Sequence, residues 1–139
     1  MDARIESKSQ IAWLDGEGIL RVDSKPGTVV TLEDVRDIVA KMVVICAGRR
    51  RPILVNLAGA ASVSREARTY IAGPDTARIQ SAAALLVTSP LARAIGNFFI
   101  GLNKSLIPTR LFTAEAAALA WLRGHIEAVA SPGVGVEVR

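Results

Sequence analysis

The chain has 139 residues and a net charge of +4; half of its residues are hydrophobic, 22% are charged and only 4% are aromatic. A chain of this length can bury a core as one domain, and its composition excludes a disordered polypeptide. We therefore expect a single domain over residues 1–139, with residues 1–10 and 131–139 as its flexible ends.

The cysteine content and the lengths of the apolar stretches indicate the cellular compartment of the protein. The single cysteine, Cys46, cannot form an internal disulfide, and the chain starts without a basic segment followed by an apolar one. Arg93 and Lys104 interrupt the longest apolar stretches before they reach the roughly 18 to 20 residues that a membrane span needs. We expect a cytoplasmic protein without a membrane span.

The first elements in chain order are a hairpin and a helix. Apolar residues 11–14 and 19–22 flank a four-residue segment that contains two glycines, which is typical of a β-hairpin. Thr31 is placed to cap a helix whose first turn is acidic, and apolar residues then recur at helical spacing until Gly48.

The middle of the chain alternates strands and helices. Residues 53–57 are apolar except for Asn56, which favours a buried strand, and a loop of small residues over 58–63 follows. Ser64 is a suitable cap for a second helix over 65–72, with a partial turn over 76–79.

The last third repeats this alternation. A short buried strand is predicted over 82–87, and serine followed by proline at 89–90 favours a third helix over 90–103. A strand over 109–112 precedes a last helix that Thr113 would cap. The order β-β-α-β-α-β-α-β-α predicts an α/β domain with a mixed sheet of about five strands, an N-terminal hairpin followed by parallel βα units, and about four helices.

This order and three segments carry a resemblance to a known family. The segments are residues 53–57 leading to 63–68, residues 89–99, and residues 111–113 leading to 120–122. Together they resemble the STAS domain, the fold of bacterial anti-sigma-factor antagonists, and above all its uncharacterised bacterial relatives called STAS-like or STAS/CRAL-TRIO-like. The resemblance implies a regulatory module that acts through protein contacts.

The resemblance also suggests a phosphorylation site. In the antagonists, an Asp-Ser or Asp-Thr pair precedes the second helix and its hydroxyl is phosphorylated; Ser64 stands at that place, with Ser62 nearby. Val63 occupies the position of the aspartate, and residues 56–58 replace the usual acidic strand end. A helix N-cap is the commoner role of such a serine.

Hydroxyl and arginine side chains follow the predicted parallel strands. Because the carboxyl ends of parallel strands face the ligand crevice of an open sheet, these side chains are candidates for an anion or phosphorylation site. The alternative is that the serines only cap helices. The candidates are Ser62, Ser64, Arg65, Ser89 and Arg93.

The third predicted helix is apolar on more than one side. Leu91, Ile95, Phe98 and Leu102 form a stripe that is suited to cover the sheet. The residues left for a second surface are two small ones and two large ones, and they form a candidate interface: Ala92, Gly96, Phe99 and Ile100. This surface suits a symmetric homodimer or a groove for an apolar ligand, and the alternative is burial within the same chain.

Catalytic and metal chemistry find little support. The single histidine, His125, and Cys46 lie in separate helices, so they provide no ligand set and no dyad. An enzyme would need Ser64, Arg65, Arg93 or Glu115 to act without an evident base. We therefore expect no catalytic residue, no metal and no cofactor.

The basic residues suggest no nucleic-acid surface. Residues 49–51 are three arginines without the broad basic face and interleaved aromatics of such a surface. The sequence thus favours a non-enzymatic interaction module that forms a homodimer and has a protein partner, without nucleic acid. The alternative is a carrier or sensor of an apolar or anionic small molecule near the strand carboxyl ends.

Overall fold

The computed structural model describes residues 4–101 and 106–127. The strands are Arg4–Glu6 (β1), Gln10–Leu14 (β2), Leu20–Ser24 (β3), Thr28–Val30 (β4), Arg51–Asn56 (β5), Ala60–Val63 (β6), Gln80–Leu86 (β7) and Thr109–Phe112 (β8). The helices are Leu32–Cys46 (α1), Arg65–Ile71 (α2), Pro74–Ala77 (α3), Pro90–Gly101 (α4) and Glu115–Arg123 (α5).

The main sheet is mixed, as the sequence predicts, and has six strands in the order β1-β2-β3-β5-β7-β8. β2 pairs antiparallel with β1 and β3, whereas β3, β5, β7 and β8 run parallel. The expectation that residues 1–10 are a flexible end was wrong for Arg4–Glu6, since these residues pair with Ile11–Trp13. Residues 131–139 lie outside the described residues.

A second, two-stranded sheet joins β4 and β6 in parallel, where the sequence predicts only connections. Gly59 explains how the β5–β6 turn reaches the end of β3. A Cβ atom at Gly59 would lie 2.3 Å from the carbonyl oxygen of Ser24, so no larger residue fits there. The backbone N–H of Gly27 donates to the carbonyl of Gly59, which fixes this turn against the β3–β4 connection.

Helix starts follow the predicted caps with one exception. The Thr31 hydroxyl accepts from the N–H of Asp34, the Ser64 hydroxyl from Ala67, and the Ser89 hydroxyl from Ala92. Thr113 was wrong as the last cap: the residue before α5 is Ala114, and its side chain caps nothing. The apolar pattern of the sequence predicted α5 itself, but it did not predict the residue at which α5 starts.

The sheet has one helix layer on each face. The α1 face is covered by α1, α2 and α4, which contribute Ile38, Ala67 and Phe99 to the larger apolar cluster. The α5 face is covered by α5, whose Ala118 and Leu122 pack on the smaller cluster. Side chains alternate between these faces along each strand. No helix in the described part of the chain is long and apolar enough to cross a membrane.

Candidate functional site

One candidate site is an apolar cavity on the α1 face. Its volume is about 80 Å³, and it lies between α1, the central strands of the main sheet, the α2–α3 segment and α4. Val39 and Met42 line it from the helix, and Val55 and Leu85 line it from the strands. Its lining is mostly apolar with a few polar side chains, which is typical of a site for a small ligand.

The cavity has a polar end formed by β2 and β3. Ser24 and Gln10 are partners in the antiparallel register and both line the cavity. Ser24 follows Leu20 and Val22 at alternate positions, and therefore its side chain points to the α1 face. Its hydroxyl is buried, and it has no hydrogen-bond partner among the described residues.

Sequence reasoning missed this polar end. The predicted second strand of the hairpin ends at residue 22, whereas β3 continues to Ser24. The pattern Leu20, Val22, Ser24 would have indicated a serine on the buried face, had the strand been extended by two residues.

The candidate interface on α4 is largely inside the protein. Ala92 is 1% exposed and Phe99 is 6% exposed, and both belong to the larger apolar cluster. A Cβ atom at Gly96 would lie 2.8 Å from Cδ2 of Leu111, so this glycine is pressed against β8. The prediction that these three residues form an outer surface was therefore wrong, because the small residues bring α4 close to its own sheet.

Two large apolar side chains of α4 are exposed. Ile100 is 42% exposed and Leu91 is 52% exposed, at the two sides of the buried stripe. Leu91 was predicted to cover the sheet, and that assignment was wrong, whereas Ile95 is buried as expected. The side chain of Phe98 and the whole of Leu102 lie outside what the structure describes.

The five candidates for an anion or phosphorylation site form two separate pairs and a single residue. Ser64 and Ser89 cap α2 and α4, and their neighbours Arg65 and Arg93 are exposed. Ser62 is exposed on β6. In the described part of the chain, the hydrogen bonds that the hydroxyls of Ser64 and Ser89 accept are cap bonds, one at α2 and the other at α4. The cap role is observed for both serines, and the anion or phosphorylation site stays a prediction.

The three arginines at 49–51 donate hydrogen bonds to backbone carbonyl groups elsewhere in the chain. Arg49 donates to the carbonyl of Glu127, Arg50 to the carbonyl of Gln80, and Arg51 to the carbonyl of Cys46 at the end of α1. Burial raises the pKa of the Cys46 thiol, and the nearby Arg51 opposes part of this shift. A thiol with a raised pKa is a poor nucleophile at neutral pH.

Glu115, the other residue named for a possible enzyme, is an ion-pair partner. Its carboxylate lies 2.9 Å from the guanidinium of Arg21, which also pairs with Asp15. Within residues 4–101 and 106–127, no cluster of three or more His, Cys, Asp or Glu side chains could hold a metal ion.

A comparison with known protein families assigns the chain to one of them. The model of a domain of unknown function, DUF7793, matches residues 12–126. The chain belongs to this family. No curated protein matches the sequence.

Solved structures show the fold of this DUF7793 domain. An uncharacterised protein of the DUF3478 family from Shewanella loihica PV-4, described as having a SpoIIAA-like fold, has a TM-score of 0.53 and 17% identity, with 88% of this chain and 92% of that chain covered. The SpoIIAA-like fold of this Shewanella protein confirms the STAS-like resemblance for the fold. A protein of unknown function from Arthrobacter sp. FB24 is 39% identical over 80% of this chain and 90% of that chain, with a TM-score of 0.32.

Proposed function

We propose that this domain is a non-enzymatic sensor that binds a small, mostly apolar molecule in the cavity on the α1 face. The observation that supports it is the cavity of about 80 Å³ in the centre of the larger apolar cluster. Transfer of an apolar ligand from water into such a space is favourable because it removes the apolar surface of the ligand and that of the cavity wall from water. Ligand binding would stabilise the folded state by mass action.

The walls of the cavity suit this role. α1 contributes Val35, Ile38, Val39 and Met42 to the wall, so a ligand would contact a full side of the longest helix. Met42 has a flexible, polarizable side chain that adapts to ligands of different shape. Occupancy of the cavity would therefore be transmitted to α1 and to the exposed surface that α1 carries.

The proposal is tested with xenon, an apolar probe that fits a cavity of this size. We expect saturable shifts of the methyl resonances of Val39, Met42 and Leu85 in NMR spectra under xenon pressure. Ala83 lines the cavity, so Ala83→Leu should fill it and abolish these shifts. Ala40→Leu, at an exposed position of α1, is the matched control and should leave the shifts unchanged.

Two results would overturn the proposal. Shifts confined to the protein surface in the parent domain would show that the cavity takes no ligand. Equal xenon binding by folded Ala83→Leu and by the parent domain would show that the shifts arise elsewhere.

A second proposal is that the domain acts through protein contacts, with a homodimer through α4 as its simplest form. Fewer residues support this proposal than the sequence suggests, because only Leu91 and Ile100 are exposed large apolar residues among the described side chains of α4. Sedimentation equilibrium should then show a dimer that Ile100→Glu dissociates. A monomer at the highest concentration measured would contradict the homodimer.

A further inference from the structure

The hydroxyl of Ser24 is the feature that identifies the ligand class. It is buried, it lines the cavity and it has no hydrogen-bond partner among the described residues. A buried hydroxyl without a partner is rare in proteins and destabilises the folded state. The group that would complete its hydrogen bonding therefore belongs inside the cavity.

Gln10 lies beside Ser24 and strengthens this assignment. The two residues face each other across β2 and β3, and both are buried. An amide side chain can donate and accept, and a hydroxyl can do the same. This end of the cavity can thus hold one polar group of a ligand, whereas the walls from α1 and β5 contact only apolar surface.

The lining also fixes the charge of the ligand. None of the described residues that line the cavity carries an ionisable side chain. A charged group placed there would lose its hydration without meeting an opposite charge, which costs far more than the burial of a neutral group. The lining therefore selects a neutral polar group and excludes a carboxylate or an ammonium.

The volume of the cavity limits the size of the ligand. A cavity of 80 Å³ holds about three water molecules at the ~30 Å³ that each occupies in the liquid, which corresponds to roughly three to five non-hydrogen ligand atoms. We infer that the cavity binds a neutral short-chain alcohol, with its hydroxyl on Ser24 and its hydrocarbon part against α1. This inference rests on the proposed function, because it presupposes that the cavity takes a ligand.

The test compares 1-propanol with xenon in the same NMR titration. Ser24→Ala should weaken 1-propanol binding about fivefold to tenfold, the effect of one neutral hydrogen bond, and change xenon binding less than twofold. Ser7→Ala is the matched control, because Ser7 is also a buried serine without a partner among the described residues but does not line the cavity. It should leave the binding of both probes unchanged.

Charge is tested with acetate, which has the same number of non-hydrogen atoms as 1-propanol and which we expect to bind at least tenfold more weakly at neutral pH. If xenon binds but Ser24→Ala leaves 1-propanol binding unchanged, or if acetate binds as tightly as the alcohol, the inference about the ligand class is wrong and the cavity remains a ligand site. If a bound water satisfies Ser24 and no alcohol displaces it, the inference is also wrong. If neither xenon nor 1-propanol enters the cavity, the proposed function itself fails.

Discussion

The two faces of the sheet are packed in different ways. On the α5 face, alternate alanines of β7 let α5 approach closely, and Ala82, Ala84, Ala118 and Leu122 are all fully buried. On the α1 face, three helices cover a wider area and leave a cavity beside Ser24, whose hydroxyl has no hydrogen-bond partner among the residues that the structure describes. The same strands thus support one close-packed layer and one layer that contains a cavity.

Truncation of a large side chain should reveal the largest difference between the faces. Leu122 on the α5 face is fully buried, and Leu122→Ala should reduce the free energy of unfolding by about 4 kcal/mol. Met42 on the α1 face already borders empty space, and Met42→Ala should cost about 2 kcal/mol, at the low end of the range for core truncations. Urea unfolding followed by circular dichroism measures both, and a larger loss for Met42→Ala would contradict the comparison.

Adjacent alanines of β7 offer a matched pair for the opposite change. Ala84→Val would press two extra methyl groups against α5, and we expect it to lower the free energy of unfolding by about 2 kcal/mol. Ala83→Val would place the same groups in the cavity, and we expect it to raise stability by about 0.5–1 kcal/mol.

Strand propensity changes equally in these two variants, so the difference between them isolates packing. Thermal and urea unfolding of both proteins provide the measurement. Equal destabilisation by the two substitutions would mean that the cavity is not available to a side chain.

Two serines should respond to truncation with opposite signs. Ser24→Ala removes a buried hydroxyl without a partner among the described residues and should raise the free energy of unfolding by up to about 1 kcal/mol in the absence of ligand. Ser64→Ala removes the cap of α2 and should lower it by about 1 kcal/mol. Destabilisation by both would show that Ser24 has a partner in the folded protein.

The smallest effect is expected at the part of the α5 face that α5 leaves uncovered. The Lys25 ammonium donates to the carboxylate of Glu6 and holds the pKa of that carboxyl below its ordinary value. A lowered pKa means that the pair stabilises the folded state above the ordinary pKa of a glutamate and that this contribution is lost as the pH falls through the lowered value.

Glu6→Gln should therefore slightly destabilise the domain at neutral pH, and this difference should disappear as the pH falls through the lowered pKa of Glu6 and its carboxyl takes up a proton. Unfolding midpoints at several pH values provide the measurement. An unchanged difference between the two proteins across this range would show that the effect of Glu6 is not electrostatic.

Sequence patterns predicted the fold well where an element is long or has a distinct boundary. The hairpin, the helix caps at Thr31, Ser64 and Ser89, and the strand Thr109–Phe112 agree with the structure. The missed strands β1, β4 and β6 have three or four residues, too few for a periodic pattern to stand out.

The site was harder to predict than the fold. The faces of α4 were assigned by helical spacing alone, so Leu91 was placed inside and Ala92 outside. The structure reverses this, since Ala92 is buried and Leu91 is exposed, and α4 approaches β8 closely at Gly96. A cavity is a mismatch between the shapes of several elements, and no local pattern of residues encodes it.

The order of the strands has a consequence for the way in which the chain is made. In the main sheet β1-β2-β3-β5-β7-β8, every strand lies beside the one that precedes it in the sheet along the chain. As the polypeptide leaves the ribosome from its N-terminus, each new strand finds its partner already synthesised and extends the sheet at one edge. None of the described strands has to be inserted between two that are already paired, so this part of the nascent domain can assemble in the order of translation.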